Sequence, residues 1–424
     1  MTSPDPPDLA ARIGLDWADQ QHDVSLRETG SPTVERSRVP QTPEALTEWL
    51  TGLRRRFGGR PVGICLELSR GALIHALLTH DFLVLYPLNP KSLKRFRETF
   101  YPSGAKDDPQ DADLMRELLE KHRDRLHPWR PAEPEIRALD RLVRARRKAV
   151  DLRTRLTQQL RAELKGYFPQ VLDWVSKLTS SLACDFLRKW PTLEALQRAR
   201  PETIRKFYYG HNCRRGDLIE RRLEEIRAAS PLTTDPAIVE TSVLAVQMLA
   251  GQIQALGPSI ARYDSEIEER FEAHPDAALF RCLPGAGAAL APRLLAAFGT
   301  DRERFPTATD LQCYSGIAPV RVKSGRTTFT IRWRWGAPTF LRQTFHEFAG
   351  QSILYSDWAR AYYDLQREKA KDHHAALRSL AFKWQRILWR CWQDRTLYDE
   401  ERYLRALQKR GSPLAHRLGL PAAA

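Results

Sequence analysis

The stretch Ile13–Leu26, IGLDWADQQHDVSL, places the tightest limit on what this chain can fold into. Ile13-Gly14-Leu15 is an apolar strand that delivers Asp16 at its end. Asp19-Gln20-Gln21 supplies a polar turn, and His22 to Leu26 alternates as a second strand. A hairpin with an acid at the lip of its first strand fixes one carboxylate rigidly. Later segments can then bring further carboxylates to it so that a divalent cation binds among them. Taken alone, Asp16 is more simply a turn residue ahead of Trp17, and the following segments change that balance. Thr33–Val39 alternates as a third strand, and Thr42 is a natural N-cap for an amphipathic helix over Pro43–Phe57. Pro61–Glu67, PVGICLE, is a short buried strand ending in a second acid, Glu67. Gly71–Thr79 is predicted as helix and Phe82–Leu88 as another buried strand. Strands alternating with helices predict an α/β layer.

Asn89-Pro90-Lys91 then leads into a basic helix, Ser92–Phe100, followed by SGAKDDPQDADLM. Asp108 and Asp111 are three apart at the start of a helix that runs to about Lys121, a spacing that puts both on one helical face. Acids in a first turn also complement the helix dipole. Capping accounts for one acid well and for four, Asp107, Asp108, Asp111 and Asp113, poorly. Strand ends therefore supply Asp16 and Glu67, and a helix supplies Asp108 and Asp111. Carboxylates crowded together repel unless cations neutralise them. Hard oxygen donors without His or Cys nearby favour Mg²⁺ or Mn²⁺ over zinc.

Charge points the same way. The 424 residues carry a formal net charge of +15, with the excess rich in arginine, which favours a polyanionic partner, most simply nucleic acid. A protein that is only generally basic is the alternative. Six scattered cysteines without a CxxC pair or a Cys/His cluster predict reduced thiols, neither a disulfide framework nor a zinc site. No long apolar run is expected to span a membrane, and MTSPDPPDLA is not a signal peptide. The expectation is a soluble cytoplasmic protein with access to the nucleoid.

His127–Pro134, HPWRPAEP, is a proline-punctuated linker. Glu135–Tyr167 is strongly helical and basic, with Arg141, Arg144, Arg146, Arg147 and Lys148 densely placed. Thr192–Ala199 and Pro201–Phe207 are predicted as short helices, before a helical pattern resumes over Ile219–Ala228 and Ile238–Ala273. This middle region is read as an extended antiparallel helical arm for dimerisation and nucleic-acid contact. An ordinary bundle with a solvated charged face is the alternative. From Ala277 the texture changes. Leu283-Pro284-Gly285-Ala286-Gly287 before a small-residue helix has the form of a helix-hairpin-helix turn, whose backbone N–H groups at Gly285 and Gly287 could receive a DNA phosphate. Packing alone also produces such turns. Further on, Ser324 precedes Gly325, with Arg321, Lys323, Arg326, Arg332 and Arg334 close in sequence. A serine hydroxyl becomes a nucleophile when its proton is removed and the developing charge is stabilised, and flanking cations serve the second need. From spacing alone, Ser-Gly is better read as a hairpin turn between Ala318–Val322 and Thr327–Trp333. Tryptophans of the last helices (Trp358, Trp384, Trp389, Trp392) are expected in the core rather than as base-stacking platforms. His373 and His374 are expected on a solvated surface, and the tail from Gly411 is expected to be unstructured.

Two sets of motifs, in order, resemble one family. GLDWA, a strand-end glutamate, NPxxxxxF and SGAKxDxxDA resemble the RuvC-like domain of DEDD transposases of insertion-sequence family 110. LPGxGxxxA, then YxGxAP, then Ser-Gly resemble the serine transposase domain of the same family. The resemblance implies an α/β RNase H-like (RuvC-like) N-terminal domain over 8–125. A helical or coiled-coil middle follows over 126–275, then a mainly α C-terminal domain over 276–400 and a tail over 401–424. It puts the metal-holding tetrad on Asp16, Glu67, Asp108 and Asp111, with Asp107 and Asp113 as the nearest misassignments, and the catalytic serine on Ser324. It implies Mg²⁺ (or Mn²⁺), element-end and target DNA and a structured guide RNA. Because the sequence places the carboxylates and the serine on different domains, they are expected to meet across subunits of a homodimer or homotetramer. One departure stands out: the family's Lys-Arg-Gly-Asn-like segment is here Arg334-Trp335-Gly336-Ala337. The expected chemistry is strand cleavage and rejoining through a serine–DNA bond. A metal-only nuclease of the Holliday-junction-resolvase kind and a non-catalytic nucleic-acid-binding relative are the rival readings.

Overall fold

The computed structural model describes residues 8–67, 72–100, 108–126, 128–129, 131–324, 327–331, 334 and 336–420. At 72, 100, 108–109, 321–324 and 327–331 it describes backbone alone. The chain divides into two compact units, Met1–Ala132 and Glu133–Ala424.

The first unit is built on five strands: β1 (Ala11–Asp16), β2 (Gln21–Glu28), β3 (Glu35–Pro40), β4 (Val62–Leu66) and β5 (Leu83–Pro87). Helices α1 (Pro43–Arg56), α2 (Ala72–Leu77), α3 (Pro90–Phe100) and α4 (Asp108–Lys121) complete it. The sheet order is β3-β2-β1-β4-β5. β1 pairs antiparallel with β2 and parallel with β4, so the predicted hairpin and the buried strand PVGICLE lie side by side. Thr42 caps α1, accepting from the Ala45 N–H at 3.2 Å, with Pro43 in the first turn.

Strand alternation divides the core. Ile13 and Leu15, with Val24, Leu26, Ile64 and Leu66, face α1 through Leu46, Leu50 and Leu53. The opposite face carries Cys65 and Tyr86 against Leu93 of α3 and Leu114, Met115 and Leu118 of α4. Each fully buried aliphatic side chain contributes about 1.5–3 kcal/mol relative to exposure.

Gly14 explains how α4 lies so close. A Cβ there would stand 1.8 Å from the Ala112 carbonyl oxygen and 2.5 Å from the Arg116 nitrogen. Nearer the start of the strands, a Cβ on Gly63, which is paired with Arg12, would meet Leu119 of α4 at 3.1 Å. Hence α4 runs antiparallel to β1, with its N-terminus over the C-terminal ends of β1 and β4.

The second unit opens with α5 (Pro134–Tyr167), α6 (Val171–Trp174), α7 (Ser181–Lys189), α8 (Leu193–Gln197), α9 (Pro201–Gly210), α10 (Gly216–Ala228) and α11 (Pro236–Glu272). It continues through α12 (Ala277–Arg281), α13 (Gly287–Phe298), α14 (Ala308–Tyr314), β6 (Val320–Ser324), β7 (Thr327–Ile331), α15 (Thr339–Ser352), α16 (Asp357–Glu368), α17 (His373–Asp394), α18 (Glu400–Lys409) and α19 (Pro413–Arg417). α5 and α11 form an antiparallel pair. Arg146 near the start of α5 pairs with Asp264 late in α11, while Glu163 near the end of α5 accepts from Ser242 early in α11 at 3.3 Å. The short helices α6 to α10 pack against the C-terminal part of α5 and the N-terminal half of α11 in one shared core that includes Phe186, Trp190, Leu196 and Tyr208.

α5 is also tied to the C-terminal helices. Glu347 of α15 accepts from Arg147 of α5 at 2.8 Å and from the buried Arg293 of α13 at 2.5 Å. The Phe340 ring lies between Arg144 and Arg293, at 4.3 and 4.9 Å. Of the four tryptophans expected in the core, Trp358, Trp384 and Trp392 are buried, while Trp389 is half-buried and donates to the Phe305 carbonyl at 2.8 Å. The Trp384 indole donates to Ser352 at 2.8 Å and that of Trp392 to the Gly299 carbonyl at 2.9 Å.

Two expectations are corrected. The tail from Gly411 is not unstructured: α19 buries Leu414 and Ala415, and Arg417 pairs with Glu368 at 2.7 Å. Nor is the chain without a long apolar run, because α11 is long and apolar enough to cross a membrane. It buries Val246, Leu249, Ala250 and Ile253 in the core that includes Leu156 and Leu160 of α5, and leaves Leu244 and Met248 exposed.

Candidate active site

Leu15 of β1 is in register with Leu66 of β4, so Asp16 and Glu67 are the next residues on two adjacent parallel strands. By alternation both follow the Gly14 and Cys65 face, the one that α3 and α4 cover. The antiparallel run of α4 brings Asp108 and Asp111 to the same end of the sheet. The hairpin carrying Asp16 is pinned from below by His22, which is fully buried. Its Nδ1 accepts from the Ala18 N–H at 3.4 Å, and Nε2 pairs with Gln41. Burial pushes the His22 imidazole below its usual pKa.

Asp111 is 3% exposed and held by Arg97 of α3, whose Nε donates to Oδ1 at 2.6 Å while Nη2 bonds Oδ2. Asp108 opens α4, and its side chain lies outside the described residues, as does all of Asp107. Asp113 has a different environment. It accepts from Ser25 Oγ at 2.6 Å and from Arg36 Nη2 at 2.9 Å, which stitches α4 to β2 and β3. The side chains of Asp111 and Asp113 are thus committed to different partners. Among the described residues, no three His, Cys, Asp or Glu side chains are grouped to hold a metal ion.

In the second unit, Ser324 ends β6 opposite Thr327 of β7, in an antiparallel hairpin. The side chains of Arg321, Lys323 and Ser324, together with Arg326 and Arg332, lie outside the described residues. Arg334 is half-buried beside α14, where its Nη2 approaches Cys313 Sγ at 3.2 Å and its Nε is buried without a hydrogen-bond partner. Gly285, with φ of 77°, turns the chain between α12 and α13 where a Cβ would meet the Gln351 backbone at 2.9 Å. That close approach requires a glycine for packing alone. Gly287, with φ of 52°, has open space around its Cα.

Comparison with known proteins gives two matches in chain order. A transposase family model for DEDD enzymes of IS110 matches residues 13–169. A second, described as "Transposase IS116/IS110/IS902 family", matches residues 277–364, and together they span more than half of the chain. The chain belongs to the IS110 family of transposases.

Relatives extend the match along almost all of the chain. The mini-circle putative transposase for IS117 of Streptomyces coelicolor is 29% identical over 404 residues, 93% of this chain and 96% of its own. The insertion element IS900 42 kDa protein of Mycobacterium paratuberculosis is 26% identical over 388 residues, 91% and 96% of the two chains. The insertion element IS110 43.6 kDa protein of Streptomyces coelicolor is 26% identical over 411 residues, 93% and 97% of the two.

For this transposase, the sequence reading missed Arg97, Arg36 and Asp23. Arg97 was one cation among several in a basic helix. Its distinguishing mark is a position four residues after the buried Leu93, hence on the helical face turned to the core. Asp23 is directly opposite Asp16 across the β1–β2 ladder and is paired with Arg38 at 3.0 Å. Once the hairpin register is drawn, that pairing of like charges is visible in the sequence.

Proposed function

We propose that this transposase cleaves and rejoins DNA by serine transesterification supported by Mg²⁺ or Mn²⁺. The observation that carries the reading is the convergence of Asp16 and Glu67 at the ends of adjacent parallel strands, beneath the helix end that bears Asp108 and Asp111. The strand order β3-β2-β1-β4-β5 supports an RNase H-like, RuvC-like domain over 8–125. It would be followed by the helical arm over 126–275, the transposase domain over 276–400 and the terminal helices beyond.

Asp16, Glu67, Asp108 and Asp111 are an all-oxygen donor set whose chemistry suits a hard divalent cation, and they would hold it, Asp111 being the one now paired with Arg97. When bound, the ion supplies Lewis-acid polarisation of a phosphate and eases loss of the hydroxyl proton. Ser324 Oγ then attacks a DNA phosphorus. An Oγ–P bond forms, the P–O bond to one nucleotide breaks, and the released hydroxyl takes a proton. Because bond number is conserved, the step reverses without ATP.

Arg321, Lys323, Arg326, Arg332 and Arg334 would orient the phosphate, and the unpartnered Arg334 Nε supports that role for one of them. The turn at Gly285 and Gly287 would offer backbone N–H groups to DNA in the manner of a helix-hairpin-helix. The partners proposed are element-end and target DNA, a structured guide RNA and a second copy of the chain, working at the nucleoid in the cytoplasm.

Ser324 as the closing residue of a β hairpin favours one rival, a metal-only nuclease in which the serine is structural. The deciding experiment expresses the protein with its native flanking DNA, adds Mg²⁺ and looks for DNA bound covalently to protein on a denaturing gel. The expected adduct disappears in Ser324→Ala, in Asp108→Asn and on chelation. Cleavage persisting in Ser324→Ala without any adduct would overturn the serine mechanism and establish the nuclease.

A further inference from the structure

Outside the candidate active site, α17 and α18 face each other across a cleft of about 650 Å³. α17 turns Lys383, Arg386 and Arg390 into it, three and four residues apart on one helical face. α18 adds Arg402 and, at its C-terminal cap, Arg410. Two carboxylates also line the cleft, and both are engaged. Asp394 pairs with Arg390 at 3.4 Å, and Asp399 caps α18 by accepting from the Arg402 N–H at 3.0 Å. Among the described residues, Lys383, Arg386, Arg402 and Arg410 therefore have no carboxylate within ion-pair distance.

Some arginines elsewhere on this unit sit beside acids, as in Arg205 with Glu220 and Arg417 with Glu368; what distinguishes this set is that its cations share one concave wall with a half-buried lysine. Lys383 is half-buried on an aromatic floor, its Nζ 4.8 Å from the Tyr362 ring centroid and 5.8 Å from that of Tyr403. Burial, with Arg386 and Arg410 nearby, pushes its pKa down. The Tyr403 hydroxyl is buried in the same wall without a hydrogen-bond partner. A concave, low-dielectric site lined by one sign of charge focuses field on an anion, and an anion over Lys383 would reverse the cost of holding the cations together.

The size of the cleft decides what kind of anion fits. Its volume is that of a pocket for one small ligand, about 300–1,000 Å³, too small for a duplex. Yet Arg402 and Arg410 are eight residues apart, about 12 Å along a helix at 1.5 Å per residue, which is longer than one phosphate group. We propose that the α17–α18 cleft binds single-stranded nucleic acid, with one phosphate seated over Lys383 and neighbouring phosphates on Arg386, Arg402 and Arg410. The proposal rests on the chain being a transposase, and not on the serine chemistry.

The test is fluorescence anisotropy of the full chain with labelled oligothymidylate, oligouridylate and a 20-base-pair DNA duplex, without divalent metal. Lys383→Met keeps the buried stem and removes the charge. We expect it to weaken single-strand binding about 10-fold and to lower the salt-dependence slope by ~0.7, while duplex binding is unchanged. Arg402→Gln with Arg410→Gln, on exposed side chains that do not disturb folding, is expected to give the same selective loss. Stronger binding of oligouridylate would mark RNA as the source of the strand, and stronger binding of oligothymidylate would mark displaced DNA. Equal losses for single strand and duplex, or unaltered single-strand binding in both variants, would overturn the proposal. Since no cleavage is measured and Ser324→Ala protein serves equally well, such a failure leaves the transesterification reading untouched.

Discussion

Asp111 is buried, and Arg97 supplies the cation that its carboxylate is paired with. Removing it strands a charge in the core of the first unit. Arg97→Ala is therefore expected to destabilise that unit by about 3 kcal/mol, read as lost hydrogen-exchange protection in β1 and α4. Adding Asp111→Asn should recover most of the loss, because a neutral amide tolerates the site. Millimolar Mg²⁺ should also restore protection to the single variant, as a substitute counter-charge. Protection unchanged by Arg97→Ala would refute this account of the pair. Asp113 makes the contrast: with Ser25 and Arg36 as partners, it serves the attachment of α4 to the sheet.

Among the elements, the seating of α4 on β1 governs where the carboxylates meet. Gly14→Ala would drive a methyl group into the Ala112 carbonyl, with backbone on both sides and no flexible side chain to give way. A loss of about 3 kcal/mol or more is expected in denaturant unfolding of the first unit. Gly52→Ala, inside α1 with nothing within 4 Å, should instead stabilise it by roughly 0.5–1 kcal/mol. If both changes had the same sign, the close-approach argument would be wrong.

Much of this layer was legible in the chain. The alternation of Ile13–Leu26, the Thr42 cap and the apolar run of PVGICLE each encode a local preference, and each strand and helix forms where that preference lies. Asp16 and Glu67 came out as neighbours because strand ends are local features and parallel pairing aligns them. Arg97 did not, since choosing one cation of a basic helix depends on a contact 14 residues away in sequence. The terminal helices were misread for a related reason. α19 is a single short turn around Leu414 and Ala415, and what orders it is burial against the rest of its unit rather than its own pattern.

For the molecule as a whole, three histidines set a pH limit. His22, His274 and His346 all have pKa values pushed below the usual 6.5 by burial. Above pH 6.5 the folded and unfolded chains both hold these groups neutral, and they contribute fully. As pH falls below 6.5 the unfolded chain takes up protons that the folded chain resists, so stability declines until the folded-state values are passed. Carboxylates such as Glu35, held down by its hydrogen bonds to Arg56, act in a separate window below pH 4.5. Thermal midpoints recorded from pH 8 to 5.5 should therefore fall on the acid side. His22→Gln should flatten the fall seen in hydrogen exchange of β1 and β2. A midpoint that rises on acidification would contradict the assignment.

The antiparallel pairing of α5 and α11 acts as a gear. The module of α6 to α10 packs along the distal halves of two helices of 34 and 37 residues, about 50 Å long at 1.5 Å per residue. Each residue gained or lost by such a helix advances its end by ~1.5 Å and turns it by ~100°. The reach of the distal module and the direction it faces are therefore not independent variables. Length can change while facing is kept only if both helices gain or lose about seven residues together, two full turns. Shorter changes turn the same module to face a different direction.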